Sequence, residues 1–247
     1  MDLLVAEDVS VKFGGNMAVI DASVRVAAGE VTGLIGPNGA GKTTLFNVIC
    51  GMQEPDRGKV VLNGIDLANS APHERAQRGL ARTFQRIELF GSLTARENLQ
   101  VAAEIKRSFG RTDREPAPKR VQDTIDFIGM GPYADTRADV LTTGQARMVE
   151  LGRALVTRPK VLLLDEPASG LDADETDVFA GLLAALAGQG LAILIVEHDI
   201  PLVMRACHRI SVLDLGRIIA VGSPTQIQHD PKVIEAYLGA PPEAGAA

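Results

Sequence analysis

A glycine-rich segment near residue 40 is the feature that most constrains how this chain can fold. It follows the apolar run Val31–Ile35 and precedes a helix-like stretch at residues 45–50. Its sequence is Gly36-Pro37-Asn38-Gly39-Ala40-Gly41-Lys42-Thr43-Thr44. A glycine, four residues and then Gly-Lys-Thr is the spacing of a phosphate-binding P-loop between a strand and a helix. This context favours a P-loop over the alternative, a β–α turn without a ligand.

The residue types in this loop suit a nucleotide phosphate. Glycines allow backbone N–H groups to turn inward around an anion, because a Cβ would block the backbone conformation or the approach. The following helix directs its N-terminal N–H groups and dipole at the same anion. Lys42 is predicted to reach the β- and γ-phosphates, and the Thr43 hydroxyl to ligate Mg²⁺. The residues predicted to contact nucleotide here are Asn38, Gly39, Ala40, Gly41, Lys42, Thr43 and Thr44.

The size and charge of the chain limit the classes of function to consider. Its 247 residues suit one or two domains with a real core. A net charge of −6 without a basic block argues against sequence-independent binding to nucleic acid. Cys50 and Cys207 are predicted to be packed thiols, because their spacing suggests neither a disulfide nor a metal site.

One apolar stretch, residues 178–196, is long enough to cross a membrane. However, Gly188-Gln189-Gly190 interrupts it, and the pattern changes from helical before the break to a buried strand after it. The first residues also lack the features of a signal peptide. We therefore expect a soluble chain that reaches the membrane only through a partner.

The order of predicted elements indicates an α/β fold with a mainly parallel core sheet. Residues 3–35 are rich in strands and a hairpin follows at 58–67, whereas helical patterns dominate 94–157, with a surface connection at 108–119. Strands and helices alternate again after residue 160. The expected fold is that of a P-loop NTPase with an N-terminal antiparallel β subdomain and an inserted α-helical subdomain. The expected domains are a nucleotide-binding core at 1–93 and 158–239, the helical subdomain at 94–157 and a flexible tail at 240–247.

Three strand ends supply further candidate residues. The apolar strand at 161–164 delivers Asp165, which fits a Mg²⁺ ligand, and Glu166, which fits a base for the attacking water. The strand at 191–196 ends before His198, which could contact a γ-phosphate, and a candidate strand at 80–84 ends at Gln85. Without the P-loop, solvent-facing charges and a histidine that only packs would be equally reasonable interpretations.

Taken together, these residues resemble those of the ATP-binding-cassette ATPases over positions 1 to about 238. The specific marker is Leu141-Thr142-Thr143-Gly144-Gln145, which is similar to the family signature Leu-Ser-Gly-Gly-Gln. The resemblance implies that Gln85 is the Q-loop glutamine, acting in catalysis and on Mg²⁺, and that His198 is the switch histidine. It further implies that Asp172 belongs to the D-loop and that Phe13 stacks on adenine. The signature residues implied to contact nucleotide are Thr142, Thr143, Gly144 and Gln145.

The signature departs from the family pattern at two positions. Thr142 stands in place of serine and keeps a hydroxyl, whereas Thr143 stands in place of a glycine and restricts the backbone. In the family, the signature of one subunit completes the ATP site of another. The resemblance thus implies ATP between two chains, in a homodimer or a heterodimer with a related cassette. Closure then requires the γ-phosphate, and hydrolysis opens the dimer.

Other classes of P-loop protein fit the sequence less well. A GTPase needs an Asn-Lys-x-Asp element, which is absent, and a small-molecule kinase needs no signature or D-loop. Cassette ATPases that act on DNA or ribosomes usually carry two cassettes or long coiled coils. A transport motor is favoured; a cassette of another transporter class and an ATPase not tied to transport remain the alternatives.

Within the transporters, Gly79 to Phe90 and the run Leu93 to Asn98 resemble the uptake group for branched-chain amino acids, urea and short-chain amides. The resemblance implies integral membrane permease subunits as partners and, indirectly, a solute-binding protein. It implies a peripheral location on the cytoplasmic side of the membrane. Phe90 and Leu93 are predicted to form a groove for a permease helix; the alternative is that they pack the insertion onto the sheet domain.

Overall fold

The computed structural model describes residues 1–108 and 116–238 of the chain. The strands in these ranges are β1 Asp2–Phe13, β2 Asn16–Ala27, β3 Val31–Ile35, β4 Arg57–Leu62, β5 Ile65–Asp66, β6 Leu80–Arg82, β7 Val161–Asp165, β8 Ala192–Val196, β9 Arg209–Asp214 and β10 Arg217–Gly222. The α-helices are α1 Lys42–Cys50, α2 Pro72–Gln77, α3 Ala95–Ser108, α4 Ala117–Phe127, α5 Thr143–Leu155, α6 Ala173–Gly188, α7 Ile200–Ala206, α8 Pro224–Gln228 and α9 Pro231–Leu238.

The strands form two sheets of different character. One is antiparallel, with the order β2-β1-β4-β5, and the other has the order β10-β9-β3-β8-β7-β6. In the second sheet all neighbouring pairs are parallel except β9 with the terminal strand β10. These findings confirm the predicted α/β fold with a mainly parallel core sheet and an N-terminal antiparallel sheet.

The central strands are covered on both faces, as their continuous apolar sequences require. Along β8, Leu194 packs into the core between the two sheets, whereas Ile193 and Ile195 pack into the core on the opposite face. That opposite core extends without interruption into side chains of α3, α4 and α5, such as Leu99 and Ile125. The division into a core and a helical subdomain at 94–157 therefore stays a prediction.

Parallel pairing brings four chain segments to one edge of the second sheet. Strands β3, β8, β7 and β6 are consecutive neighbours, so their carboxyl ends lie side by side. The P-loop leaves β3, and Glu197 with His198 leaves β8. Asp165 ends β7, and the segment that carries Gln85 leaves β6. Ligands of open α/β sheets bind at this edge, which makes it the place to look for a site.

Two predicted boundaries were wrong. Strand β6 ends at Arg82 and not at Gln85, because the backbone of residues 84 and 85 bonds to side chains of α5 instead of a neighbouring strand. Helix α4 begins at Ala117, inside the stretch predicted to be a connection. Its first turn tolerates Pro118 because N–H groups there need no helical partner. Residues 109–115 and the predicted tail at 240–247 lie outside the described residues.

The apolar stretch at 178–196 forms the end of α6 and the strand β8, as predicted. In the part of the chain that the structure describes, no helix is both long enough and apolar enough for a membrane span. Cys50 and Cys207 are buried free thiols, and burial raises the pKa of Cys50 to about 11 and that of Cys207 to about 12.

A buried asparagine fixes the start of α3 and the loop before it. Thr94 and Glu97 form a capping box: the Thr94 N–H donates to Glu97 Oε2 at 2.8 Å, and the Glu97 N–H donates to Thr94 Oγ1 at 3.2 Å. Asn98 has no exposed surface. Its Oδ1 accepts the Phe90 N–H at 2.9 Å, and its Nδ2 donates to the carbonyls of Phe90 and Thr94 at 3.1 and 2.9 Å. The side chain thus replaces backbone partners that the loop lacks.

We expect Asn98→Ala to lower the free energy of unfolding by about 1–3 kcal/mol, because buried loop N–H and carbonyl groups lose their partners. Gln100→Ala on the same helix removes only an exposed bond to Glu104 and should change it by less than about 0.5 kcal/mol. Urea unfolding of both variants measures the difference. Equal effects would show that the Asn98 bonds contribute little.

Candidate functional site

The P-loop is shaped by close backbone contacts at two of its glycines. Gly36 has φ 154°, and a Cβ added there would lie 1.9 Å from the carbonyl oxygen of Leu213 on β9. Gly41 has φ 104° and caps α1, and a Cβ there would lie 2.4 Å from the carbonyl oxygen of Ala18 on β2. The glycines therefore serve packing as well as the predicted exposure of N–H groups.

Lys42 spans the loop that it follows. Its Nζ donates to the carbonyl oxygens of Gly36 at 2.6 Å and Pro37 at 3.0 Å. Partial burial lowers the pKa of Lys42, and the nearby Glu166 carboxylate opposes that shift. Asn38, Gly39 and Thr43 are exposed around this ammonium group, whereas Ala40 is buried. The Lys42 ammonium group is therefore held across the loop, and Asn38, Gly39 and Thr43 are exposed to solvent.

Glu166 is turned away from the direction of its strand. It has φ 46°, in the left-handed region that side chains other than glycine seldom adopt, and its N–H donates to the Val196 carbonyl of β8 at 2.8 Å. Backbone strain of this kind tends to be found at functional sites. The preceding Asp165 is buried, so the two adjacent carboxylates have different surroundings.

The three residues predicted to be catalytic meet at Glu166. Gln85 Nε2 donates to Glu166 Oε2 at 2.8 Å. His198 Nδ1 lies 3.7 Å from the same oxygen and 3.8 Å from Glu197 Oε2, which is beyond hydrogen-bond distance, and its side chain is 64% exposed. Lys42 lies close enough to act on the same carboxylate through its charge. One carboxylate therefore faces an amide, an imidazole and an ammonium group.

Sequence reasoning missed the partner of Asp165. Arg82, at the end of β6, donates from Nη2 to Asp165 Oδ2 at 2.9 Å, and both side chains are nearly buried. The same guanidinium donates to Asn47 Oδ1 at 2.8 Å and lies 4.9 Å from the ring centroids of Phe46 and Phe84. Burial raises the pKa of Asp165, and Arg82 counters it. Only the pairing of β6 with β7 could have revealed this contact.

Glu197 was also missed, although it precedes the predicted histidine. It is 1% exposed and accepts the N–H groups of Ala168, His198 and Asp199 at 2.9, 3.1 and 3.4 Å. Burial raises the pKa of Glu197, and these amides lower it. The carboxylate joins the segment after Glu166 to the segment that carries His198. A buried acid at a strand end was the available signal.

The signature residues and Asp172 lie at the N-termini of two helices. Thr142 caps α5: its Oγ1 accepts the Gln145 N–H at 3.3 Å, and its own N–H donates to Gln145 Oε1 at 3.1 Å. Asp172 caps α6 through the Glu175 N–H at 2.8 Å. The side chains of Thr142 and Asp172 therefore form N-cap hydrogen bonds within their own helices. No side-chain hydrogen bond joins them to Lys42, Thr43 or Glu166 within residues 1–108 and 116–238.

The two capped ends pack on each other. A Cβ added to Gly144 would lie 2.1 Å from Glu175 Oε1, so the carboxylate rests against the backbone of α5. A Cβ added to Gly170, which has φ 84°, would lie 2.9 Å from Thr143 Cγ2. The methyl group of Thr143, where the family has glycine, therefore packs against a glycine in the segment before α6.

The remaining predicted site residues lie at the margins of these two groups. Phe13 is 52% exposed at the tip of the β1–β2 hairpin, where it pairs with Asn16. Thr44 lies in the first turn of α1 and is half-buried. The structure thus unites Lys42, Gln85, Glu166 and His198. It places the signature residues with Asp172 separately, and the roles of all these residues stay predictions.

Because the Glu175 carboxylate occupies the position of a Cβ on Gly144, we expect Gly144→Ala to displace it and to weaken the cap of α6. That carboxylate ends a flexible side chain and can move, so the loss should cancel the gain that alanine usually brings to a helix, and the free energy of unfolding should change by less than about 0.5 kcal/mol. Gly181→Ala in the middle of α6 has open space and should raise it by about 0.5–1 kcal/mol. Thermal or urea unfolding distinguishes the two, and equal stabilisation by both variants would contradict the packing described.

Comparison with known proteins tests the resemblance. Residues 19–169 match the family described as ABC transporter, and residues 217–242 match one described as branched-chain amino acid ATP-binding cassette transporter. The chain is 37% identical over 250 residues to the high-affinity branched-chain amino acid transport ATP-binding protein BraF of Pseudomonas aeruginosa, with 96% of this chain and 98% of BraF covered. It is 35% identical over 239 residues to the lipopolysaccharide export system ATP-binding protein LptB of Haemophilus influenzae, with 97% and 98% covered.

A solved structure agrees over nearly the whole chain. It is the ADP conformation of MJ1267, an ATP-binding cassette of an ABC transporter, with a TM-score of 0.87 and 32% identity over 97% of this chain and 99% of that one. The match at residues 19–169 covers the P-loop, Gln85, the signature residues, Asp165 at the end of β7 and the following Glu166. The chain therefore belongs to the ABC transporter family and is the ATP-hydrolysing subunit of a transporter.

Proposed function

We propose that this chain drives an importer of branched-chain amino acids or of related small polar or amide solutes such as urea. The observation that carries the importer proposal is the match of residues 217–242 to the branched-chain amino acid cassette family. That region includes β10, α8 and α9 and lies outside residues 19–169, which match the general ABC transporter family. The likeness to BraF supports the same assignment.

The second candidate is a motor for export, favoured by the likeness to LptB. The identities to BraF and LptB, 37% and 35%, are too close to discriminate, and both relatives align over nearly the whole chain. A cassette does not itself contact the transported solute, so the nucleotide site carries no information on this choice. The match at the C-terminal end favours import.

In the proposed nucleotide site, each residue has a physical task. The N–H groups of the P-loop and the Lys42 ammonium bind the phosphates, and Lys42 exchanges its two carbonyl partners for phosphate oxygens. Glu166 polarises the attacking water, because it is a partly exposed carboxylate beside the loop. Gln85 and His198, which both lie next to Glu166 Oε2, orient that water and the γ-phosphate. Phe13 stacks on the adenine.

The donors near the P-loop fit Mg²⁺. Thr43 offers a hydroxyl, Asp165 its second carboxylate oxygen and Gln85 an amide oxygen, and oxygen ligands are those that Mg²⁺ prefers. No group of three or more His, Cys, Asp or Glu side chains in the described ranges is arranged to hold a metal by itself. This agrees with a cation that is held partly by substrate phosphates. When bound, Mg²⁺ would neutralise charge on the β- and γ-phosphates.

Cassettes of this family dimerise and work with membrane permease subunits. We propose a head-to-tail dimer in which residues 142–145 of one copy face the nucleotide on Lys42 of the other. The N–H groups of Thr143 and Gly144 support this, since they begin the 13-residue helix α5, whereas the Gln145 N–H is used by the Thr142 cap. Either a second copy of this chain or a related cassette could supply this helix N-terminus.

A cavity of about 270 Å³ between α3, α5 and β6 is the proposed docking place for a permease helix. Its lining includes Phe84, Ile105 and Arg153. The neighbouring Phe90 is 47% exposed, and Arg153 lies 5.1 Å from its ring centroid. An apolar groove with a charged rim suits an amphipathic helix. Such docking would hold the chain at the cytoplasmic face of the membrane, next to the Gln85 segment, with a solute-binding protein as an indirect partner.

Transport in proteoliposomes tests the proposed function. The chain is reconstituted with its permease subunits and the solute-binding protein, and ATP-dependent uptake of labelled leucine and of urea is measured. We expect uptake of one of these solutes, and a fall of at least about 100-fold with Glu166→Gln, as for loss of a general base. ATP-dependent release of lipopolysaccharide, without uptake of either solute, would favour the export alternative.

Glu166→Gln should also separate ATP binding from hydrolysis. The amide keeps the shape of the carboxylate but cannot accept a proton, so we expect turnover to fall by about 10²–10⁴-fold while ATP-dependent dimers accumulate. Light scattering after gel filtration measures the dimer. Glu54→Gln, on an exposed loop, should behave like the unaltered chain. Undiminished turnover in Glu166→Gln would remove Glu166 from this role.

A further inference from the structure

Helix α5 carries a buried ion pair that the nucleotide site does not use. Arg147 Nη1 lies 2.9 Å from Glu150 Oε2, and the two side chains are only 5% and 8% exposed. Removing two charges from water costs free energy, which is recovered only when further hydrogen bonds satisfy them. The partners of this pair therefore indicate what it holds.

The pair grips the backbone of Phe84 and Gln85. Arg147 donates from Nη1 to the Phe84 carbonyl at 3.2 Å and from Nη2 to the Gln85 carbonyl at 2.7 Å. Glu150 Oε1 accepts the Phe84 N–H at 3.4 Å. These two residues follow Thr83, whose N–H donates to the Leu163 carbonyl of β7 at 2.9 Å and makes the last bond of this segment to backbone partners in the sheet. Two side chains of α5 replace those partners.

Gln85 is consequently held through both its side chain and its backbone carbonyl. Its side chain donates to Glu166 Oε2 at 2.8 Å, and its carbonyl accepts from Arg147. Arg147 lies about one helical turn after Thr143, so the N-terminus of α5 belongs to the same rigid helix. A continuous chain of contacts thus runs from Glu166 through Gln85 and Arg147 to the end of α5 that carries the signature residues.

We propose that Arg147 and Glu150 are positioning residues that fix the Gln85 segment to α5, so that the two move as one unit. This inference rests on the proposed ATP site between two cassettes. A γ-phosphate and Mg²⁺ would offer the Gln85 amide new partners in place of Glu166. Movement of the Gln85 segment would then be transmitted to the N-terminus of α5 through the hydrogen bonds that Arg147 donates to the Phe84 and Gln85 carbonyls. Neither residue touches the reacting atoms.

Arg147→Lys is the sharpest test of this link. A lysine keeps the charge opposite Glu150, but a single ammonium group cannot span the two carbonyls as the planar guanidinium does. We expect nucleotide affinity of the separate chain to change by less than about twofold, because Arg147 does not contact the P-loop. We expect kcat and ATP-dependent dimerisation to fall by about tenfold, within the range of coupling between linked sites.

A second variant tests whether a loss of activity could come from misfolding alone. Arg147→Met combined with Glu150→Leu removes both charges at similar volume, a replacement that buried pairs often tolerate. It should show the same loss of kcat with unchanged nucleotide affinity. The matched control, Glu7→Gln combined with Lys59→Met, removes an exposed pair at 3.0 Å on the antiparallel sheet and should behave like the unaltered chain. A merely structural pair would change unfolding without separating affinity from kcat.

Hydrogen exchange with the non-hydrolysable analogue AMP-PNP provides the direct readout. In the unaltered chain, binding should alter exchange at residues 83–87 and at residues 142–146 together. In Arg147→Lys, only the first segment should respond. A joint response that persists in both variants would overturn the inference. Absence of ATP-dependent dimers in unaltered and Glu166→Gln chains alike would instead contradict the proposed sandwich of two cassettes.

Discussion

Parallel pairing of β3 with β8, of β8 with β7 and of β7 with β6 brings together residues that are far apart in sequence. Because the side chains at these strand ends leave the sheet at one edge, Lys42, His198 and Gln85 all reach Glu166. These three residues can lie close to Glu166 only because β3, β8, β7 and β6 are neighbours in this order. A different neighbour for β7 would leave the P-loop intact and still separate it from its carboxylates.

The same edge concentrates three carboxylates, and each has a partner of a different kind. Arg82 pairs with Asp165, backbone amides surround Glu197, and Gln85 with Lys42 faces Glu166. Burial raises the pKa of Asp165 and of Glu197, because it disfavours the charged form of each carboxyl group. Their hydrogen-bond partners oppose this effect and favour the carboxylates. The partners therefore hold the three acidic side chains in position at this edge of the sheet.

Local sequence patterns predicted the fold class and most of the candidate site residues. They did not predict the contacts between residues that are far apart in the sequence. The P-loop spacing and the alternation of strands and helices after residue 160 each follow from neighbouring residues, and the fold class they predicted is confirmed. By contrast, Arg82 bonds to a carboxylate 83 positions away, and Arg147 to a carbonyl 62 positions away. Strand pairing and helix packing decide such contacts, so no pattern within either segment specifies them. The end of β6 was misplaced for the same reason.

The departure from the family signature at Thr143 is also explained by a contact between distant segments. A threonine there restricts the backbone of α5, yet the helix begins normally because Thr142 and Gln145 cap it. The added methyl group needs space, and Gly170 supplies it by having no Cβ in a left-handed conformation. Glu175 in turn closes over Gly144. Since volume added at 143 is matched by volume absent at 170, the N–H groups at the start of α5 keep the orientation that the helix gives them. The substitution therefore alters how the signature packs on its own subunit and leaves the N-terminus of α5 intact.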